Sequence, residues 1–157
     1  MSNVNKSLVV YYSASGNTKT AASKIGQIIQ ADVVAIQPAT PYPEAYADLA
    51  AVGKKEIDDQ ILPNLAPLPF NLKAYQTIYV GFPIWWDQPP MLVARFLQEK
   101  DLVDQQLVVF ATSYSSTIEQ SLQMVKTWTE NSEIKILGGF LANSNQEIMT
   151  GLAALKK

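Results

Sequence analysis

Leu8-Val9-Val10-Tyr11-Tyr12 is an unbroken apolar and aromatic run with no polar alternation. Such a run fits a strand buried on both faces. The period then changes at once. Thr18, Ala21, Ala22, Ile25 and Ile29 fall at the spacing of one helix face. A short apolar strand, Val33 to Ile36, comes next. The chain therefore opens as β-loop-α-β, the start of a parallel sheet.

Pro41 and Pro43 interrupt the pattern, and Pro43 suits the first turn of a helix. Tyr46, Leu49, Ala50, Gly53 and Ile57 continue as a helical stripe. Leu62 to Leu72 contains Pro63, Pro67 and Pro69 without any period, which predicts a surface loop. Thr77 to Gly81 is a third strand, followed by a helix striped with Leu92, Val93, Phe96 and Leu97. Leu107 to Ala111 is a fourth strand, followed by a helix striped with Ile118, Leu122, Val125 and Trp128. Ile134 to Leu137 is a short fifth strand, and Ile148, Leu152 and Leu155 mark a last helix.

Strands alternating with helices, without repeats or a splitting linker, predict one α/β domain over residues 1–157. Right-handed crossovers turn this order into a three-layer α/β/α sandwich. Its five-stranded parallel sheet is expected in the order 2-1-3-4-5, the common five-strand solution. Ligands bind such sheets beyond the carboxyl ends of the strands, where the order reverses. The segments after Tyr12, Gly81 and Ala111 are therefore the ones to inspect.

Composition narrows the chemistry. A 157-residue chain can bury roughly 70% of its unfolded surface. It has neither cysteine nor histidine, which removes thiolate chemistry, disulfides, the usual general base and the commonest metal ligand. No side-chain nucleophile, catalytic residue or metal site is expected, so chemistry points to a borrowed cofactor. The net charge of −2 predicts no nucleic-acid surface. No apolar stretch approaches about 18 residues, so no membrane span is expected. The apolar run Leu8 to Tyr12, preceded only by Lys6 as a charge, is too short for a signal peptide, and a cytoplasmic location is expected.

The first loop is Ser13-Ala14-Ser15-Gly16-Asn17-Thr18, set between a strand and a helix N-terminus. Open N–H groups and partial positive charge at such an end attract phosphate, and hydroxyls and Asn17 add neutral donors. Gly16 permits a close approach. The same residues also serve as ordinary helix caps, and the loop by itself leaves both uses open. It lacks the Gly-Lys-Ser/Thr ending of a Walker loop.

The second loop is Phe82-Pro83-Ile84-Trp85-Trp86-Asp87-Gln88-Pro89-Pro90. Adjacent tryptophans do not easily share one face. Either one of them faces the crevice as a wall for a flat ring, or both plug the crossover. The third loop, Thr112-Ser113-Tyr114-Ser115-Ser116-Thr117, offers hydroxyls and a second aromatic wall, or a cap for the helix that follows. Phosphate donors at one strand end with aromatics at the next two describe a site for a planar ring on a phosphorylated tail.

At this point the residues resemble a family. Ser13-Ala14-Ser15-Gly16-Asn17-Thr18 is similar to the flavodoxin phosphate loop, Thr/Ser-x-Thr-Gly-x-Thr. Gly81-Phe82-Pro83-Ile84-Trp85-Trp86 looks like the Gly-x-Pro-Ile-Trp-Trp segment of one flavodoxin-like branch, and Val109-Phe110-Ala111-Thr112-Ser113 resembles its Phe-x-Thr-Ser segment. Order and spacing agree along nearly the whole chain. The resemblance implies FMN held without a covalent bond. Ser13, Ser15, Gly16, Asn17 and Thr18 would hold its phosphate. Pro83, Ile84, Trp85 and Trp86, with Asp87 after them, would line the ring, and Thr112, Ser113, Tyr114 and Ser115 would border its other side. It implies a short-chain form whose extra length lies in residues 41–72.

The sequence departs from that branch at Asp87, where many members have glycine, and at Tyr114-Ser115-Ser116-Thr117, where many have Gly-Gly-Ser-Gly. Glycine at 87 would ease a peptide flip toward the flavin N5. The chain is also less acidic than carrier flavodoxins, so it would steer a basic partner only feebly.

The expected function is transfer of electrons through FMN to a redox partner protein or a small acceptor such as a quinone. A regulatory or structural module without turnover is the alternative. A phosphorylated receiver domain of the same strand order fails, because Ser13-Ala14 and Gly81-Phe82-Pro83 stand where it needs acidic residues. Trp128 is expected in the core, and Tyr42 and Tyr46 as packing for the Pro-rich segment. Glu56, Asp58 and Asp59 are expected as a solvated helix end, and Lys156-Lys157 as a charged tail.

Overall fold

A strand that is apolar at every position must be covered on both sides, and the sheet is built on that demand. The computed structural model describes residues 6–69, 71–98, 102–113 and 115–155. The elements are β1 (Ser7–Tyr11), α1 (Asn17–Ile29), β2 (Asp32–Ala35), α2 (Tyr46–Asp58), a 3-10 turn at Leu72–Ala74, β3 (Thr77–Pro83), α3 (Met91–Leu97), β4 (Gln106–Thr112), α4 (Ile118–Thr129), β5 (Lys135–Leu141) and α5 (Asn145–Ala154). All neighbouring strands are parallel, in the order β2-β1-β3-β4-β5 that the sequence predicts.

Neighbouring residues of each strand enter different cores, as the two-residue period requires. Leu8, Val10, Ile78, Val80, Leu107 and Val109 join Leu92, Val93 and Phe96 of α3 and Val125 of α4. Val9, Val108 and Phe110 join Ala21, Ala22 and Ile25 of α1 with Ile148 and Leu152 of α5. The sandwich therefore has α1 and α5 on one face of the sheet and α3 and α4 on the other. Trp128 packs against the α3–α4 core, as expected. Among the described residues, no helix is long and apolar enough to cross a membrane.

Several elements differ from the sequence pattern. β5 runs to Leu141, well past the expected end at Leu137. Gly138 and Gly139 end the apolar run, but backbone pairing with β4 carries the strand through them with a register shift beside Leu107 and Val108. α2 begins only at Tyr46, behind Pro43, because the stretch before it carries Tyr42 onto Tyr12 and Trp85. Tyr46 itself is 84% exposed, so it neither belongs to the buried stripe nor packs the Pro-rich segment. That segment is a loop, yet an anchored one. Ala39 N–H donates to the Asn64 carbonyl at 2.8 Å, and Ala66 N–H to the Gln37 carbonyl at 2.8 Å. Arg95 Nη2 grips the Leu62 carbonyl at 2.7 Å. Lys156 and Lys157 lie outside the described residues.

Candidate functional site

The carboxyl ends of β1, β3 and β4 bring the three predicted loops to one edge of the sheet. Two side-chain bonds tie the loops together across long stretches of chain. Thr18 and Thr112 are both buried, and their hydroxyls meet at 2.8 Å, joining the first loop to the third. The Ser116 hydroxyl donates to Asp87 Oδ1 at 2.7 Å, joining the third to the second.

The first loop is not a side-chain cap. Gly16 is itself the N-cap of α1, at φ +101°, and it supplies no side chain to the helix end. Ser13 Oγ, which could have served as a cap, instead accepts the Gly16 N–H at 3.0 Å and folds the loop on itself. The N–H groups of the first helical turn lack intrahelical partners by geometry. Here no side chain among the described residues caps them, and the neighbouring Ser15 and Asn17 are exposed. A Cβ built on Gly16 meets nothing within 4 Å, so open space lies over the loop. Neutral hydroxyl, amide and backbone donors around an open helix end fit a phosphate.

The second loop separates its two tryptophans. Trp85 N–H donates to the Gln88 carbonyl at 2.9 Å, and Gln88 N–H returns to the Trp85 carbonyl at 3.1 Å. Between them, Trp86 and Asp87 have φ of +53° and +65°. Two central residues with positive φ make a type I′ turn, which normally uses Asn and Gly. Asp87 thus already holds the left-handed conformation for which glycine is favoured. For a residue as bulky as Trp86 this conformation is strained, and such strain gathers at functional sites. Ile84 and Trp85 pack against the core. Trp86 turns outward and is 53% exposed, so it presents a ring face. Pro83 ends β3, half-buried beside Thr112.

The third loop is held from β5. Asn143 Oδ1 accepts from Ser113 N–H at 2.9 Å, and Asn143 Nδ2 donates to the Ser113 carbonyl at 2.9 Å. Ser113 Oγ accepts the Ser116 N–H at 2.9 Å, and Ser115 is exposed. Thr117 precedes α4 without a side-chain cap bond, so this loop is not an ordinary cap either. Tyr114, expected as an aromatic wall, lies outside the described residues. Asn143 gives no signal in the sequence, because the apolar run that marks β5 stops at Leu137 before Gly138 and Gly139. A longer β5 would have placed Asn143 at the same carboxyl edge.

Beneath the second loop lies a group that sequence pattern placed elsewhere. Glu56 is 8% exposed, not part of a solvated helix end. Asp58 and Asp59 are solvated as expected, and each pairs with a lysine of α2 at 2.9 Å. Tyr42 Oη donates to Glu56 Oε1 at 2.9 Å. The Tyr42 ring packs edge-on against Tyr12, at 5.8 Å, and Trp85, at 5.9 Å. Burial raises the Glu56 carboxyl above its ordinary value, and the Tyr42 hydrogen bond only partly opposes this. Burial, followed by the Glu56 charge, pushes Tyr12 up to about 12 and raises Tyr42 further.

Glu56 therefore binds its proton more tightly in the folded chain than in the unfolded one. Its contribution to stability is complete below the unfolded value of about 4.3 and declines as pH rises through the higher folded value. Glu56→Gln keeps an acceptor for Tyr42 and removes the charge. Urea midpoints of the variant should exceed wild type at pH 7 and converge with it at pH 4. A gap of the same size at both pH values would show that Glu56 does not titrate this way.

The sequence matches the family described as Flavodoxin over residues 6–151. The chain belongs to the flavodoxin family. Among solved structures, this flavodoxin-family chain is similar to a protein of Bacteroides eggerthii DSM 20697 classed provisionally as a flavoprotein, with 30% identity, a TM-score of 0.85, and coverage of 97% of this chain and 98% of that one. A protein of Bacteroides uniformis ATCC 8492, classed in the same provisional way, shows 31% identity and a TM-score of 0.81 over 98% of this chain and 99% of its own. A flavoprotein of Lactobacillus acidophilus NCFM in complex with FMN is 18% identical, with a TM-score of 0.82 over 98% and 99% of the two chains, and shares the fold. No curated protein matches the sequence significantly.

Proposed function

We infer that this chain binds FMN without covalent attachment and passes electrons through it to a redox partner protein or a small acceptor such as a quinone. The observation that carries this reading is the uncapped α1 N-terminus around Gly16, on the same sheet edge as the outward-turned Trp86. When bound, FMN supplies the redox chemistry that a chain without cysteine or histidine lacks.

The protein's part is to bind and orient. Ser13 shapes the phosphate loop by holding the Gly16 N–H, and the amides of Asn17 and Thr18 with Ser15 and the Asn17 side chain hold the phosphate. Trp86 offers a stacking face for the ring. The Thr18–Thr112 and Asp87–Ser116 bonds keep the phosphate loop and the ring walls in register. That a solved flavoprotein of the same fold is in complex with FMN supports the choice of cofactor.

Untagged protein should purify yellow and release a chromophore with the mass of FMN. A colourless protein that takes up no added FMN would end this reading. Oxidation of NAD(P)H with quinones would mark a reductase. Reduction by light without such turnover would mark a carrier.

A further inference from the structure

The segment between β2 and β3 has no role in the site as the sequence describes it, yet it touches both tryptophans. Ala50, Gly53 and Lys54 lie three and four residues apart and so share one face of α2. Gly53 sits under the Trp85 ring so closely that a Cβ there would lie 2.9 Å from Cε3. The Ala50 carbonyl accepts from Trp86 Nε1 at 3.3 Å. Lys54 Nζ stands 5.5 Å from the Trp86 ring centre. Tyr42, fastened to Glu56, closes on Trp85 together with Tyr12, whose ring lies 5.5 Å from that of Trp85.

A turn with a tryptophan at φ +53° persists only when its surroundings over-determine it. Apart from the Ser116 bond to Asp87, the contacts that do so come from α2, Tyr12 and Tyr42. Trp85, one residue before the strained pair, is enclosed by Gly53, Tyr12 and Tyr42 and cannot rotate without breaking their packing. The Tyr42–Glu56 bond is the polar fastening of that enclosure, and both partners stand outside the three loops that would touch the cofactor.

We propose that residues 42–56 form a clamp on the Trp85–Gln88 turn, and that Tyr42 and Glu56 are positioning residues for the flavin ring. The proposal rests on the FMN reading above. It predicts a defect in ring binding that is independent of the phosphate, so riboflavin and FMN serve together as probes.

The variants are Tyr42→Phe, Glu56→Ala and Glu56→Gln in the full chain. Dissociation constants come from quenching of flavin fluorescence, and the order of the turn from tryptophan near-ultraviolet circular dichroism. Tyr42→Phe and Glu56→Ala should weaken FMN and riboflavin by the same factor, up to about tenfold, the worth of one hydrogen bond. Both should change the tryptophan dichroism of the flavin-free protein. Glu56→Gln keeps the acceptor and should restore affinity and dichroism to wild type.

Wild-type riboflavin affinity in Tyr42→Phe and Glu56→Ala would overturn the clamp while leaving FMN binding intact. So would an equal loss in Glu56→Gln, because the hydrogen bond would then not be the cause. If wild type takes up neither flavin, the FMN reading itself fails and the proposal falls with it.

Discussion

Gly16→Val is expected to weaken FMN binding by about 100-fold, equivalent to two charge-assisted hydrogen bonds, while riboflavin affinity stays near wild type. The reason lies in the backbone. At φ +101° a β-branched side chain is strained, and relief requires rotation of the loop. Rotation breaks the Gly16–Ser13 bond and turns the amides of Asn17 and Thr18 away from a common centre. It also places a side chain in the open space over the loop. The fold should lose only about 1–3 kcal/mol, the usual cost of an unfavourable backbone conformation. Titration with the two flavins and urea unfolding measure the two losses separately. Parallel losses of FMN and riboflavin, matched by a collapse in stability, would make Gly16 a hinge of the fold instead of part of a phosphate cradle.

The two tryptophans should separate just as sharply. Trp85→Ala removes the centre of the ring cluster with Tyr12 and Tyr42 and should cost about 3–5 kcal/mol of stability, as large-to-small changes in packed sites do. Trp86→Gly should leave stability within about 1 kcal/mol of wild type. The loss of an exposed ring and of the Ala50 bond is offset by relief of the left-handed strain. Its effect falls on the cofactor. Loss of one aromatic stacking face is worth about 1–3 kcal/mol, or roughly 5- to 150-fold in FMN affinity. Trp86→Gly binding FMN as wild type does would exclude Trp86 as the stacking face.

Much of the site is local in origin and therefore visible in the chain. Gly16 and its polar neighbours sit where a strand meets a helix, and the position of that junction follows from two hydrophobic periods. Trp85-Trp86 stands out because a pair of adjacent tryptophans cannot share one face of an element. Their division of labour was not visible. It depends on Gly53, more than thirty residues earlier, being small enough to take the Trp85 ring. Glu56 misled for the same reason. Its sequence neighbours Asp58 and Asp59 are solvated, but Glu56 points to the face of α2 that Tyr42 covers. β5 was cut short because glycine carries no hydrophobic signal, although its backbone pairs like any other.

The sequence by itself determined the alternation of strands and helices, the sheet order and the sheet edge at which the three loops meet. These follow from hydrophobic period and the handedness of parallel crossovers, which are properties of short stretches of chain. Only the tertiary structure decided which tryptophan is buried, which hydroxyls are spent on each other, and how the phosphate loop stays open. Thr18 and Thr112 meet across 94 residues, and Asp87 and Ser116 across 29. A contact between residues so far apart is set by the packing of whole layers. Ser13 bonds to Gly16 and leaves the end of α1 without a side-chain cap, an arrangement set by the local fold of the loop.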